Sequence, residues 1–303
     1  MKVFITGGTG FIGKYVMQKL IEEDYDISIL CIEERLKKDF KNDNEIHLIK
    51  GDLSEIKEWE EKLKTFEPDV CIHLAWEGIP DYSYKYSVKN LIMSLNLFNV
   101  LADIKCKKII CSGSCWEYNR KKGKLDENMT ITPQNPFLAA KHSIHTLGQE
   151  LARENNMDFI WTRLFYVYGP GQKNHSLIPH IIKTVSSGKK PEIKTPYSKN
   201  DFVYVEDVAR AFLMILKKSK GIDTYNIGSG YSTQIKDIID MIYLNCNFNK
   251  KFITKINKPS NSDIVNFYAD ISKIKNEIGW EPETSIEEGV EKTVKSMVDK
   301  FDR

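Results

Sequence analysis

Apolar runs and helical repeats alternate along the first half of the chain. Short apolar stretches such as KVFIT and VCIHLA are typical of strands that are buried on both faces of a sheet. Longer segments between them, for example KYVMQKLIEED, repeat their apolar residues at helical spacing. Strands that alternate with helices in this rhythm predict a parallel sheet covered by helices on both faces.

The same alternation continues to about residue 165. Further strands are predicted at DISILCI, EIHLIKGD, KKIICSGS and FIWTRLF. Long helices are predicted from about Tyr82 to Asp103 and from about Pro136 to Glu154. Beyond residue 165 the pattern loosens into a turn at YGPGQ, a helix at SLIPHIIKTVSSG and shorter elements.

These elements predict an α/β fold of the Rossmann type, a doubly wound parallel sheet with a smaller C-terminal α/β substrate lobe. We expect a dinucleotide-binding domain over residues 1–165, to which residues 201–227 return, and a substrate-binding lobe over residues 166–303. No internal repeat or flexible linker interrupts this arrangement.

Composition excludes some classes of protein. Lys and Arg (44) nearly balance Asp and Glu (42) in the 303 residues, so neither a nucleic-acid nor a membrane surface is predicted. The six cysteines form no CxxC pair and no metal-binding pattern with histidine, which favours buried free thiols in a reducing compartment. No apolar run reaches the ~18 residues of a membrane span. We therefore predict a cytoplasmic protein without a metal site.

Three glycines mark the turn between the first predicted strand and its helix. Gly7, Gly10 and Gly13 have the spacing of a dinucleotide-binding loop, in which glycine allows a tight turn, close approach of a pyrophosphate and close packing of helix on strand. The start of the helix adds free N–H groups and a positive dipole end for the phosphates. This position in a βαβ unit makes the signal specific.

The second predicted strand leaves NAD and NADP both open. A carboxylate at its end favours NAD and an arginine favours NADP. The strand ends near Cys31 and is followed by Glu33, Glu34 and Arg35, so groups of both signs are within reach.

Several segments, in order and spacing, resemble the extended short-chain dehydrogenase/reductases, a family that contains nucleotide-sugar epimerases, dehydratases and 4-ketoreductases. The matching segments are TGGTGFIG, GDL, HLAW, LFYVYGPGQ, NDFVYVEDVARAF, YNIGSG and EIGWEPETSIEEGV. Asn90 resembles the asparagine of the helix that follows HLAW. The resemblance covers nearly the whole chain.

The resemblance implies two sets of contacts. The implied cofactor-binding residues are Gly7, Thr9, Gly10, Phe11, Ile12, Gly13, Asp52 (to the adenine), Leu53, Leu74, Ala75, Trp76 and Lys141. The expected substrate-binding residues are Trp116, Tyr118, Tyr166 and His175. Arg163, at a strand end, is expected to tie the two lobes together.

The family's chemistry uses a Ser or Thr, a Tyr and a Lys, and one of the three is absent here. Ser114, Phe137 and Lys141 occupy the three catalytic positions. In the family the tyrosine moves a proton, and the lysine holds the nicotinamide ribose and lowers the pKa of the tyrosine. A phenol with a pKa near 10 needs such a positive charge to act as a base at neutral pH.

Three interpretations of Phe137 stay open. It is a change introduced to disable the enzyme, a native residue whose role another group has taken, or the mark of a protein that binds cofactor without turnover. The candidate replacements are Ser114 through a water, Tyr118, Tyr166, Tyr168, Cys115 and His142.

Two further departures narrow the reaction and the substrate. Dehydratases of the family carry an Asp-Glu pair where this chain has Cys115 and Trp116, and Glu117 is expected to face the other side of an extended segment, which argues against 4,6-dehydration. Arginines that hold a diphosphate in the family are replaced by Asn200 and Ser260. Four lysines are available as substitutes: Lys194, Lys199, Lys255 and Lys258.

The sequence thus predicts an NAD(P)-dependent oxidoreductase of a nucleotide-activated sugar, of the 4-ketoreductase or 4-epimerase type. The resemblance implies a homodimer formed through the helices near 82–103 and 136–154, and work in surface polysaccharide synthesis. The alternatives are a hydride enzyme for a small substrate without a nucleotide, and a cofactor-binding protein without turnover.

Overall fold

A parallel seven-stranded sheet forms the centre of the protein. The computed structural model of the chain describes residues 1–32, 46–119, 122–246 and 264–298. The strands are β1 (Lys2–Thr6), β2 (Asp26–Cys31), β3 (Ile46–Lys50), β4 (Val70–His73), β5 (Lys108–Ser114), β6 (Lys122–Leu125), β7 (Asp158–Leu164), β8 (Tyr166–Tyr168), β9 (Lys199–Asn200), β10 (Phe202–Tyr204), β11 (Ile222–Ile227), β12 (Thr233–Gln234) and β13 (Asn266–Ala269). The central sheet has the order β11-β7-β5-β4-β1-β2-β3, so the predicted fold class is confirmed.

The helices cover both faces of this sheet and fill the C-terminal lobe. They are α1 (Phe11–Glu22), α2 (Glu60–Phe66), α3 (Tyr84–Asp103), α4 (Pro136–Asn155), α5 (Leu177–Ser186), α6 (Val205–Lys218), α7 (Ile235–Asn245), α8 (Ser272–Ile278) and α9 (Ile286–Val298). One apolar core joins the sheet to α1, α6 and α8, and another joins it to α2, α3 and α4. Within the described residues, no helix is long and apolar enough to cross a membrane.

The sheet order creates a crevice beside β1. The chain runs outward from β1 through β2 to β3, and then returns to the other side of β1 as β4. Ligands of doubly wound sheets bind at this switch point, outside the carboxyl ends of the strands. The loops that follow β1, β4 and β5 therefore define the candidate site.

The C-terminal lobe has its own core and two small sheets. Helices α5, α7 and α9 pack on Tyr168, Phe202 and Tyr204, while β10 pairs with β8 and the remaining short strands follow the order β12-β9-β13-β6. Strand β11 pairs with β7 in the central sheet, and α6 packs against α1. Residues 201–227 thus contribute to the central layer, while the domain boundary at residue 165 stays a prediction.

Two predicted elements differ from the structure at their starts. Helix α1 begins at Phe11, inside the glycine-rich segment, rather than after it. Helix α3 begins at Tyr84, two residues after the predicted start at Tyr82. The second difference matters for the site, because it leaves Tyr82 on the loop between β4 and α3.

Candidate active site

The glycine loop is packed too closely for side chains at two positions. Gly7 has a φ of +73°, and a Cβ there would lie 2.7 Å from the backbone nitrogen of Ala75. A Cβ on Gly13 would lie 2.1 Å from the carbonyl oxygen of Gly7. Gly10 precedes α1 and donates its N–H to that oxygen at 2.9 Å. The loop therefore leaves open backbone at the start of α1, which fits the pyrophosphate of a dinucleotide.

The other implied cofactor residues line the same crevice. Thr9, Phe11 and Ile12 are half-buried in the loop and the first turn of α1, and Leu74 and Ala75 follow β4 directly across from Gly7. These positions agree with the dinucleotide contacts that the resemblance implies, and the contacts themselves stay a prediction.

Asp52 lies beyond β3 at the start of a 3₁₀ helix, Leu53–Glu58. One carboxylate oxygen accepts the N–H and the hydroxyl of Ser54, both at 2.8 Å, and the backbone bond lowers the pKa of Asp52. Leu53 is buried below it. The residues that would choose between NAD and NADP, Glu33 to Arg35, lie outside the described residues.

A buried histidine joins three elements beneath the crevice. His73, the last residue of β4, is hydrogen-bonded through Nδ1 to Thr6 Oγ1 at 2.7 Å and through Nε2 to Ser94 Oγ at 2.9 Å. Burial lowers the pKa of His73 to about 3, and the Lys141 ammonium adds to this effect. His73 is therefore a neutral structural link between β1, β4 and α3.

Aromatic side chains surround Phe137, and we call Trp76, Tyr82, Trp116 and Phe137 the aromatic cluster. The Phe137 ring centroid lies 5.2 Å from that of Trp76, 5.0 Å from Tyr82 and 6.2 Å from Trp116, with edge-on geometry. Phe137 is 5% exposed, whereas Trp116 is 39% exposed. The position that a catalytic phenol would occupy is thus enclosed by apolar ring surfaces.

Lys141 lies one helical turn after Phe137 on the same face of α4. Its Nζ donates to the carbonyl oxygen of Ser112 at 2.7 Å and lies 4.1 Å from the Trp76 ring centroid. Burial lowers the pKa of the Lys141 ammonium, and the neighbouring thiol of Cys111 opposes this. The buried Lys141 amine therefore lies at the carboxyl ends of β4 and β5, where the resemblance places the nicotinamide ribose.

The segment after Ser114 is not extended, contrary to the prediction. Residues Cys115–Tyr118 form a 3₁₀ turn rather than an extended segment. Ser114 caps this turn through its Oγ, which accepts the Trp116 N–H at 3.2 Å. The Ser114 N–H donates to Glu117 Oε1 at 2.7 Å. Ser114 is half-buried beside the aromatic cluster, so its hydroxyl keeps access to the crevice.

Glu117 does face away from the crevice, as expected, but for a different reason. It is fully buried, and its carboxylate accepts the Trp161 Nε1–H at 3.0 Å and pairs with Arg163 Nε at 3.4 Å. Arg163 also donates to the backbone oxygen of Glu127 at 3.1 Å. Because Glu127 follows β6, which pairs with β13, this network joins the end of β7 to the smaller sheet. The role of Arg163 in tying the two lobes together stays a prediction.

Tyr118 is not placed for a substrate contact, which corrects that prediction. It is 2% exposed, and its hydroxyl donates to Asn226 Oδ1 at 2.6 Å and accepts from Arg163 Nη1 at 3.0 Å. Its direction follows from the 3₁₀ turn, which rotates it into the core. The sequence analysis overlooked this turn and treated the segment as extended.

Tyr166 and His175 differ in how close they lie to the aromatic cluster. Tyr166 Oη accepts the Trp116 Nε1–H at 3.3 Å, and burial raises the pKa of Tyr166 to about 12. His175 is exposed on the loop before α5. Tyr166 therefore borders the crevice, and the role of His175 stays a prediction.

Sequence reasoning missed Tyr82, and it named Asn90 without its loop partner. Tyr82 contacts both Phe137 and Trp116, the latter at a centroid distance of 5.3 Å. Asn90 holds the loop on which Tyr82 lies, because its side chain accepts the Glu77 N–H at 2.7 Å and donates to the Glu77 carbonyl at 2.9 Å. The asparagine was visible in the pattern, but its partner on the loop was not.

Two neutral histidines near the site make stability depend on pH. His145 stacks on Trp161 at 4.9 Å, and burial, with a contribution from Arg163, lowers its pKa to about 3, as for His73. The unfolded chain binds protons at both below pH ~6.5, so stability is present above that pH and falls as the pH drops towards 3. We expect His145→Gln to reduce the slope of unfolding free energy against pH by up to ~1.4 kcal/mol per pH unit below pH ~6.

Urea unfolding between pH 7.5 and 5 measures this slope. The Gln side chain keeps an amide that can bond to Thr224 Oγ1, which lies 3.1 Å from His145 Nε2. His180→Gln serves as the control, since His180 is exposed on α5. Equal slopes for His145→Gln and the control would contradict the assignment of a neutral buried His145.

The glycine loop, the switch-point crevice and the buried lysine define the class of protein as a dinucleotide-dependent oxidoreductase. The chain matches the NAD dependent epimerase/dehydratase family over residues 3–228. It belongs to this family, which confirms the predicted family and, with it, an NAD-dependent enzyme.

The relatives match this chain over nearly its whole length. The dTDP-4-dehydro-6-deoxyglucose reductase of Escherichia coli is 27% identical, over 97% of each chain. A putative UDP-glucose 4-epimerase of Methanocaldococcus jannaschii is 28% identical, over 97% of this chain and 98% of the relative. Among solved structures, the UDP-glucose 4-epimerase of Thermotoga maritima with UDP-glucose superposes with a TM-score of 0.85 at 25% identity, over 99% of this chain and 100% of the other.

Proposed function

We propose that this chain is an NAD-dependent reductase of a nucleotide-activated keto sugar. Bound NADH supplies a hydride, and the glycine loop and Lys141 hold the cofactor. The observation that carries the proposal is the enclosure of Phe137 by aromatic rings, since the resemblance assigns the catalytic tyrosine to this position and Phe137 has no hydroxyl. The missing hydroxyl affects two half-reactions of the family unequally: oxidation of a sugar alcohol and reduction of a sugar ketone.

Oxidation of a sugar alcohol needs a group that accepts its proton. Burial raises the pKa of both phenols nearest the site, Tyr82 and Tyr166, so these groups stay protonated at neutral pH. Reduction needs a proton donor instead, and the alkoxide formed from a ketone is far more basic than a phenolate. The site at rest therefore carries the proton that reduction consumes, whereas epimerisation must begin with an oxidation, which needs an ionised base.

Dehydration has no support from the residues after Ser114. The positions of the dehydratase pair hold Cys115 and Trp116, and burial raises the pKa of the Cys115 thiol well above its usual range. The only carboxylate of that turn, Glu117, is fully buried and bonded to Trp161 and Arg163. Neither an acid nor a base for removing a sugar hydroxyl is available there.

The nucleotide part of the substrate rests on the relatives, whose names include dTDP and UDP sugars. Asn200, which stands in place of an arginine, is buried, and Lys199 beside it is half-buried. Ser260, Lys255 and Lys258 lie outside the described residues. A nucleoside diphosphate present at 100 times its Kd is expected to stabilise the protein by ~2.7 kcal/mol. If UDP, dTDP, GDP and CDP all leave the melting temperature unchanged, the small-substrate alternative is favoured.

The reaction is tested with matched panels of keto and hydroxy sugars. The protein with NADH is offered 4-keto sugars linked to UDP, dTDP, GDP or CDP, and loss of NADH and the product sugar are followed by absorbance and NMR. The protein with NAD⁺ is offered the corresponding 4-hydroxy sugars. Reduction of at least one keto sugar, with no exchange between 4-hydroxy epimers, supports the proposal, and epimer exchange contradicts it.

Replacing Phe137 with tyrosine is expected to restore the oxidising half-reaction. The new hydroxyl would lie one helical turn from Lys141, whose charge favours the phenolate. The rate of NAD⁺ reduction by a 4-hydroxy nucleotide sugar is expected to rise by ~10² or more, the usual scale for one acid/base group. Phe137→Leu is the control, because it alters the same side chain and adds no hydroxyl. Equal rates for the two variants would contradict this account of Phe137.

We also propose that the protein forms a homodimer through α3 and α4. Ile92 and Leu147 are exposed apolar residues on these two helices, with 53% and 48% of their surfaces accessible. Exposed apolar surface on packed helices supports association. A role in surface polysaccharide synthesis stays a prediction.

A further inference from the structure

Phe137 leaves the reaction without the usual proton donor, and most of the candidate replacements are engaged elsewhere. The Tyr118 hydroxyl is bonded to Asn226 and Arg163 in the core. The Tyr168 hydroxyl points into the C-terminal lobe, where a Cβ on Gly289 would lie 2.1 Å from it. The Cys115 thiol is buried and its pKa is raised by that burial.

His142 and Ser114 are also poorly suited. His142 follows Lys141 on α4, so its side chain projects about 100° away from the face that carries Phe137 and Lys141. Ser114 Oγ accepts the Trp116 N–H and has no acidic partner of its own. Two phenols remain: Tyr82, which belongs to the aromatic cluster, and Tyr166, which lies beside it.

Tyr82 is better placed than Tyr166 for proton transfer. Its ring packs directly on Phe137, at 5.0 Å between centroids, and its hydroxyl makes no hydrogen bond within the part of the chain that the structure describes. Tyr166 Oη instead accepts the Trp116 indole N–H, and its ring packs on Phe202 and Phe267. Tyr82 is thus a phenol with an uncommitted hydroxyl whose ring packs on Phe137.

The loop that carries Tyr82 is held in place from α3. Asn90 bonds both backbone groups of Glu77, and Lys89 pairs with the Glu77 carboxylate at 2.6 Å. Gly78 packs on the Tyr86 ring, where a Cβ would lie 2.6 Å from the ring. A residue on this loop is therefore positioned before the substrate arrives, as proton transfer requires.

We propose that the Tyr82 hydroxyl donates the proton that a tyrosine at position 137 would otherwise donate; this rests on the reductase function proposed above. As the carbonyl carbon gains a hydride with its electron pair, the C=O π pair moves onto oxygen. The oxygen then bonds the Tyr82 proton, which gives the alcohol. The Tyr82 phenolate regains a proton from water, which its half-buried position admits. Ketone, hydride and proton together balance the product alcohol.

The protonation state of Tyr82 supports this role. Burial raises the pKa of the Tyr82 hydroxyl, so the proton is present at neutral pH. Tyr82 and Trp116 also flank Phe137 on the open side of the cluster, since Trp116 is 39% exposed. A carbonyl group bound at this open side would lie beside the Tyr82 phenol.

The test compares Tyr82→Phe with two other variants that each lose a phenol hydroxyl, Tyr84→Phe and Tyr166→Phe. We expect Tyr82→Phe to lower kcat for keto-sugar reduction by ~10² or more. Tyr84→Phe, at the start of α3 and 73% exposed, is the control with kcat unchanged. Adding Phe137→Tyr to Tyr82→Phe is expected to recover at least tenfold of the lost rate, because it returns one hydroxyl to the cluster.

Binding without cofactor supplies a second measurement. Calorimetry of the 4-hydroxy product sugar is expected to show about fivefold weaker binding to Tyr82→Phe than to Tyr84→Phe, the scale of one hydrogen bond. A Tyr82→Phe variant with unchanged kcat, or a loss of rate confined to Tyr166→Phe, overturns the assignment of Tyr82. If the unaltered protein reduces no keto sugar, the reductase function itself fails and the assignment falls with it.

Discussion

Gly7→Ala is expected to weaken NAD binding by ~10² or more, because the left-handed backbone costs about 1–3 kcal/mol for alanine and the loop must also move. Gly7 has a φ of +73°, and its Cβ would lie 2.7 Å from Ala75 N and 2.8 Å from the Leu74 carbonyl carbon. Both atoms are backbone and cannot rotate away. The loop would shift from the strand end that flanks the crevice, and the N–H groups at the start of α1 would shift with it.

Gly188→Ala is the control that separates the clash of an added Cβ from the strain of a left-handed backbone. Gly188 has a φ of +71°, and a Cβ there would meet nothing within 4 Å. Both variants therefore share the left-handed backbone, and only Gly7→Ala disturbs the crevice. Calorimetry with NAD and thermal unfolding measure the two effects. NAD binding that is equally weakened in both variants would contradict the assigned cofactor loop.

Glu117→Ala is expected to lower the free energy of unfolding by ~3–5 kcal/mol, the usual cost of leaving a buried charge without its partner. Arg163 is 3% exposed, and Glu117 is the only carboxylate paired with it among the described residues. The change also removes the acceptor for the indole N–H of Trp161 and for the N–H of Ser114. Urea unfolding at neutral pH measures the loss.

Glu61→Ala is the matched control on the surface. Its carboxylate pairs with Lys64 at 2.6 Å, a shorter distance than that between Glu117 and Arg163, but its side chain is 78% exposed. Exposed pairs contribute only ~0–1 kcal/mol, so little stability should be lost. A loss for Glu117→Ala no larger than that for Glu61→Ala would show that burial does not strengthen this pair.

The sheet and the glycine loop were predictable because their signals are local. Buried parallel strands require continuous apolar runs, and the loop requires glycine where backbone approaches backbone, as at Gly7 and Gly13. Neither signal depends on residues far away in the sequence. Helix α4 could likewise be predicted from its own pattern, whereas Lys141 was assigned to the site only by the resemblance to the family.

The turn after Ser114 carried a local signal that was missed. Ser114 and Glu117 are three residues apart and form a capping box. The side chain of each residue accepts a backbone N–H at the other residue. The spacing of Ser and Glu is the sequence signature of that motif. It would have predicted a helical turn, and with it the burial of Glu117 and Tyr118.

Tyr82 had no such signal. Its contact with Phe137 joins a loop after β4 to the first turn of α4, and only tertiary packing brings these segments together. The predicted start of α3 at Tyr82 also concealed the loop. A residue that acts across the crevice from a separate element is the kind that sequence patterns do not reveal.

The most direct test of the central claim follows a labelled hydride. The unaltered protein is given NADH that carries deuterium at the transferable position of nicotinamide C4, together with the 4-keto nucleotide sugar that it turns over. We predict deuterium at C4 of the product sugar, one for each NADH consumed, and a single product configuration. A product that forms without consumption of NADH, or two epimers that exchange while the cofactor stays unchanged, would contradict the reductase account.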